Sequence, residues 1–99
     1  MDLQDILSSQ ELNKYCRDHH IRQLSLFGSI VREDFSPQSD VDILVEFESG
    51  FTPGYDFFLM EIELSRIIGR KVDLQTINFL SPEIRQSVLD ELVPAYGQT

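Results

Sequence analysis

Apolar residues along this chain switch between a helical spacing and a period of two. Leu3, Ile6, Leu7, Leu12 and Tyr15 give a rough helical stripe that predicts a helix over residues 3–18, although Leu12 drifts from its phase. Residues 22–27 change rhythm. Leu24 and Leu26 alternate with Gln23 and Ser25, which predicts a short strand ended by Gly28. Residues 33–39 contain Pro37 and two serines and read as a loop. Val41, Ile43, Val45 and Phe47 then share one face at period two, predicting a strand half buried on that face.

Gly50, Pro53 and Gly54 mark a second loop, after which Asp56 is placed to cap a helix over about residues 57–68. Phe57, Met60, Leu64, Ile67 and Ile68 form the apolar stripe of that helix, and Gly69 stops it. Residues 71–76 read as a third strand, with Val72 and Leu74 inward and Lys71, Asp73 and Gln75 on the other face. Ser81-Pro82-Glu83 has the form of a helix start, and the last helix is expected to run to about Val93, where Pro94 closes it. The order is α-β-β-α-β-α. A helical crossover makes strands two and three parallel, and a loop makes strands one and two antiparallel. The expected class is α/β (α+β): a small mixed sheet of three to four strands with helices packed on one face.

Composition narrows the picture. The chain has 99 residues, 41% of them hydrophobic, and is expected to form one domain over residues 1–99. No apolar run approaches a membrane span and no signal-peptide pattern opens the chain. Cys16 is the single cysteine, so no internal disulfide forms. Together these lead to the expectation of a reduced cytoplasmic protein. The net charge is −9, and its distribution matters more than its size. Residues 33–63 hold nine carboxylates and no Lys or Arg, while the rest of the chain carries eight acids and eight bases. The surplus disfavours a nucleic-acid partner, since phosphate contacts need a basic face, and favours a divalent cation or a basic protein.

Asp40 and Asp42 supply the candidate chemistry. They stand two apart at the start of a strand, so their side chains share a face, opposite Val41 and Ile43. Two such carboxylates repel each other unless a cation sits between them, and hard oxygen ligands suit Mg²⁺ or Mn²⁺. Asp73 joins them if its strand pairs beside theirs. Three carboxylates can hold two metal ions about 4 Å apart, the arrangement that clamps the attacking and leaving oxygens in phosphoryl transfer. At the end of the first strand, the glycine of Gly28-Ser29 lets backbone N–H groups approach a phosphate, and the serine adds a hydroxyl donor. Arg32 is expected near that turn and within reach of a triphosphate. An EF-hand loop is excluded by Val41 and Ile43 flanking Asp42, and no Walker A loop or dinucleotide fingerprint is present.

Gly28-Ser29, ten residues, then Asp40-Val41-Asp42 resembles the signature of the polymerase-beta-like nucleotidyltransferase superfamily. Asp73, within Arg70-Lys71-Val72-Asp73-Leu74, stands where that family places its third carboxylate. The short chain and the run Leu26-Phe27-Gly28-Ser29-Ile30-Val31-Arg32 resemble its minimal branch, the MNT antitoxins paired with HEPN toxins. The resemblance covers roughly residues 22–76. It departs at Glu33-Asp34, where many relatives carry a small residue after the arginine.

The resemblance implies a nucleotidyltransferase that uses Mg-ATP with two Mg²⁺ ions. It would move AMP to a tyrosine of a HEPN ribonuclease in a hetero-oligomer, with release of pyrophosphate. Asp40, Asp42 and Asp73 would be the catalytic and metal-binding residues, and Gly28, Ser29, Arg32 and Ser39 would contact the nucleotide. The residues alone leave other readings open. Ser39 also suits a simple cap of the turn before the strand. An acidic, aromatic chain could silence a basic toxin by occlusion alone, and an enzyme acting on RNA ends or a small molecule is a weaker third option. His19 and His20 suit helix capping or solvent, Cys16 suits the core, and Phe51, Tyr55, Phe57 and Phe58 suit core or a partner interface. Glu46 and Glu48 are expected as edge charges that discourage strand pairing.

Overall fold

The computed structural model describes residues 2–32, 36 and 38–97. The expectations for Glu33, Asp34 and Pro37 fall outside the described residues.

The first helical stretch is two helices, α1 (Leu3–Leu7) and α2 (Gln10–Asp18). Asp2 and Asp5 form a reciprocal capping box at the start of α1. Ser8 ends that helix by donating its hydroxyl to the Gln4 carbonyl at 2.9 Å. Ser9 then caps α2, its hydroxyl accepting from the Leu12 N–H at 3.1 Å. The single helix expected over residues 3–18 is therefore broken at Ser8-Ser9. Leu12 drifts from the stripe because it belongs to a helix with a new phase, and it is fully buried there.

Four strands follow: β1 (Ile21–Phe27), β2 (Val41–Phe47), β3 (Val72–Gln75) and β4 (Val93–Tyr96). They form one sheet in the order β3-β2-β1-β4. β1 and β2 are antiparallel, with Phe27 opposite Asp42, and β2 and β3 are parallel, with Asp42 opposite Asp73. This is the expected mixed sheet. Helix α3 (Asp56–Ile68) makes the crossover. It starts one residue earlier than expected, so Asp56 lies in its first turn and Tyr55 holds the cap position without a side-chain bond. Gly69, in the left-handed conformation, stops it.

A fourth strand lies within the expected range, but its place at residues 93–96 was not foreseen. Helix α4 (Pro82–Glu91) ends short of Val93, and Leu92 is already extended. Pro94 accounts for this, since a proline disfavours helical backbone at the residue before it. Residues 93–96 instead pair antiparallel with β1, on an outer strand where a missing N–H is tolerated.

The main core lies between α1–α3 and one face of the sheet, built on Leu24, Leu26, Val41, Ile43, Val45, Leu64 and Val72. Cys16 is buried in it. Residues of opposite parity on the strands, Phe27 and Leu44, join Leu80, Val88 and Leu92 in a smaller cluster under α4. Asp42 and Asp73 belong to this second face.

Two features hold the strands that carry them. The outer N–H groups of β3 are covered by α3, with Val72 donating to Ser65 Oγ and Leu74 to Glu61 Oε2, both at 2.9 Å. β2 is an inner strand over residues 41–44, where β3 pairs with it; Glu46 and Glu48 lie beyond that pairing. Arg22 reaches Glu46 at 2.7 Å and His20 approaches Glu48 at 3.4 Å.

Candidate active site

The site forms where β1 ends and β2 and β3 begin. The alternation that puts Val41 and Ile43 into the core turns Asp42 to the opposite face, and the parallel register sets Asp73 beside it. Asp40 lies just before β2 and is half-buried. Its Oδ2 is 4.0 Å from Lys71 Nζ, and the Val41 N–H donates to the Lys71 carbonyl at 2.8 Å, so the starts of β2 and β3 are tied together. Asp73 Oδ1 accepts from Gln75 Nε2 at 2.9 Å.

Gly28 closes the site on the β1 side. It opens a 3₁₀ turn, Gly28–Val31, with a φ of 75°. A side chain there would meet Asp42, whose Cγ lies 3.0 Å from where a Cβ would stand. Only glycine allows both this backbone and this approach. Ser29 follows, partly exposed, and Arg32 ends the turn, its NH1 3.5 Å from Glu91 Oε2. The Gly28 N–H itself donates to Glu91 Oε1 at 2.9 Å.

Asp42 records the electrostatics. Burial pushes its carboxyl up from 3.8 to about 6, Asp73 and Asp40 add to the rise, and Arg32 opposes it. A buried carboxylate pressed by two acidic neighbours makes a place that favours a cation, and carboxylate oxygens are the hard donors that Mg²⁺ takes. Among the described residues no three acidic, histidine or cysteine side chains stand close enough to enclose an ion. The three acids are therefore neighbours on one face rather than a closed cage.

Ser39 is engaged elsewhere. Its hydroxyl accepts from the Ser36 N–H and meets the Ser36 hydroxyl, each at 3.1 Å, which is the turn-capping geometry. His19 Nδ1 lies 2.8 Å from the Tyr15 carbonyl at the end of α2, and His20 stacks on Phe51.

Three contributors were missed in the sequence. Arg70 donates to the carbonyls of Ser36 and Ser39 at 2.8 and 2.7 Å and so fixes the approach to Asp40. Its place three residues before Asp73 was a usable signal. Gln75, two residues after Asp73, shares its face and binds it. Glu91 gave no signal, because 63 residues separate it from Gly28 and only the path of α4 joins them. A cleft of about 390 Å³ is lined by His19, His20, Phe51 and Met60 near the opposite end of β2.

A model of the nucleotidyltransferase domain family matches residues 9–94. The chain is 38% identical over 73 residues to the protein adenylyltransferase MntA of Thermococcus cleftensis, covering 74% of this chain and 73% of that protein. It is 33% identical over 95 residues to a candidate protein adenylyltransferase of Methanocaldococcus jannaschii, covering 93% of each. A solved structure of a candidate minimal nucleotidyltransferase superposes with a TM-score of 0.76 at 33% identity, over 95% of this chain and 96% of that one. The fold also matches a chain from a complex of tri-AMPylated Shewanella oneidensis HEPN toxin with MNT antitoxin, with a TM-score of 0.60 at 24% identity, over 91% of this chain and 74% of that one.

Proposed function

The chain belongs to the nucleotidyltransferase domain family, and from that premise we propose that it is an antitoxin that transfers AMP from Mg-ATP to a tyrosine hydroxyl of a HEPN ribonuclease. In the reaction the tyrosine oxygen bonds to the α-phosphorus, the bond from that phosphorus to the bridging oxygen of pyrophosphate breaks, and the hydroxyl proton is lost to a base. Asp73, beside Asp42 on β3, would take that proton. Asp40, Asp42 and Asp73 would hold two Mg²⁺ ions, which when bound neutralise charge on the attacking and leaving oxygens. Ser29 and the backbone after Gly28 would hold the outer phosphates, with Arg32 beside them. Ser39 contributes by shaping the turn before Asp40.

The observation that carries this reading is the register that sets Asp42 against Asp73 on one side and against the Gly28 turn on the other. The relatives that bear the adenylyltransferase name support the reaction class, and the complex of a HEPN toxin with an MNT antitoxin supports the choice of partner. An exposed stripe on α3, Tyr55, Phe58, Leu59 and Ile62, runs at helical spacing and suits the contact surface of a hetero-oligomer. No helix among the described residues is long and apolar enough to cross a membrane. Whether that helical surface acts alone, by occlusion, is decided by the same variant that tests the chemistry. Asp40→Asn with Asp42→Asn should abolish transfer of label from α-labelled ATP to the toxin and leave it active. Full protection by this variant would replace catalysis with occlusion.

A further inference from the structure

Glu91 is an acid in a place that already holds too many. It is the last residue of α4, and its carboxylate adds to the upward pressure on Asp42. Its side chain is 27% exposed, so solvent screens that repulsion only in part. One oxygen accepts the Gly28 N–H at 2.9 Å, and the other faces Arg32 NH1 at 3.5 Å. The first contact is needed. Gly28 is buried, β1 pairing with β2 ends at Phe27, and a buried N–H without an acceptor is costly. A glutamine would meet that need without repelling Asp42. Among the described residues, the negative charge answers to the second contact, with the guanidinium of Arg32.

We propose that Glu91 is a positioning residue for nucleotide binding, bridging the Gly28 turn and Arg32 so that both are set for a triphosphate before it arrives. The proposal rests on the nucleotidyltransferase reading of this site. Pre-setting the turn and the guanidinium removes ordering cost from the binding step. It also accounts for the course of the chain after α4. Residues 93–96 pair with β1, so the strand that leads into Gly28 and the segment that follows Glu91 lie in one sheet.

The test compares wild type, Glu91→Gln, Glu91→Ala, Arg32→Gln and the double variant Glu91→Gln/Arg32→Gln, using the full chain. Binding of ATP and of AMP with Mg²⁺ is measured by calorimetry, and melting is followed by circular dichroism. Glu91→Gln keeps the Gly28 acceptor and should melt within about 2 °C of wild type while weakening ATP about fivefold, the size of one lost partly exposed ion pair. AMP, which lacks the outer phosphates, should be weakened less. In the Arg32→Gln background the glutamine should have little further effect. Glu91→Ala should lower the melting temperature as well. Unchanged ATP affinity in Glu91→Gln would reduce Glu91 to a structural cap and overturn the proposal. Tighter ATP binding would overturn it in the opposite sense, marking the carboxylate as an obstacle to phosphate. A wild type that binds no ATP would overturn the parent reading and this proposal with it.

Discussion

Gly28 and Gly69 allow the backbone cost of an alanine to be separated from its cost to the site. Both have positive φ, 75° and 77°. An ideal Cβ at Gly28 would collide with the Asp42 carboxylate, whereas one at Gly69 has nothing within 4 Å. Gly28→Ala and Gly69→Ala should therefore carry the same left-handed strain, about 1–2 kcal/mol each. For a domain of this size that lowers the melting temperature by roughly 4–16 °C. The collision at Gly28 is relieved most cheaply by turning Asp42 away, since a carboxylate rotates more easily than a sheet shifts. Its cost then falls on chemistry, and a displacement on the order of 1 Å reduces transfer about 10²-fold. The assay is pyrophosphate release with ATP, Mg²⁺ and toxin at a temperature where both variants are folded, with melts recorded in parallel. Gly69→Ala should turn over near the wild-type rate. If Gly28→Ala transfers within about threefold of Gly69→Ala, then Asp42 is not held by this turn, or its position does not matter.

Other outcomes follow from the same geometry. Asp42→Asn should raise the melting temperature at pH 7.5 in chelator while abolishing transfer. The folded chain holds the Asp42 proton to about pH 6, and the unfolded chain releases it near 3.8. The carboxylate therefore opposes folding fully above pH 6, and the gain from asparagine should shrink as pH falls from 6 towards 4. A gain that grows towards pH 4 would contradict the assignment. Mg²⁺ with ATP at about 100 times its Kd should stabilise the chain by about 2.7 kcal/mol, and an unchanged melt would count against a nucleotide site. Cys16, buried in the core and pushed up to about 12 by that burial, should resist a thiol reagent until the chain unfolds; rapid labelling in native buffer would contradict this. Arg70→Met should slow transfer by loosening the Ser36–Asp40 approach, and rescue by lysine would show that charge alone, not its two carbonyl contacts, is what matters.

The parts of this fold written in local pattern were legible. The period-two run from Val41 fixed β2 to its observed ends, and the alternation that buried Val41 and Ile43 also placed Asp42 on the opposite face. The pairing of Asp73 with Asp42 required only that β2 and β3 be neighbours in parallel, which the crossover helix implied. Breaks made by competing side-chain bonds were harder to read. Ser8 and Ser9 divide the first helix through hydroxyl contacts that a hydrophobic count ignores, and the phase slip at Leu12 was their trace. β4 was hidden because a four-residue strand containing proline has almost no pattern and exists only because β1 offers an edge. Glu91 was hidden for the same reason, since its role comes from where α4 ends in space.

The acidic surplus of the chain is handled differently at the two ends of β2. At its far end Glu46 lies 2.7 Å from Arg22, so charge there is matched by a base on β1. At its near end Asp40 and Asp42 face Asp73 and Glu91. Among the described residues the cations nearby include Arg32, 3.5 Å from Glu91, and Lys71, 4.0 Å from Asp40 and largely exposed. Adjacent strands force Asp42 and Asp73 together, and the carboxyl of Asp42 stays raised although Arg32 opposes the rise. The strand that could neutralise them carries Phe27 and Gly28 at that level instead of a base. The sheet thus holds Asp42, its carboxyl raised by burial and by its acidic neighbours, beside a turn that only glycine can make. A cationic ligand on the acids would offset that cost, which is why substitutions that stabilise the chain here should be the ones that silence it.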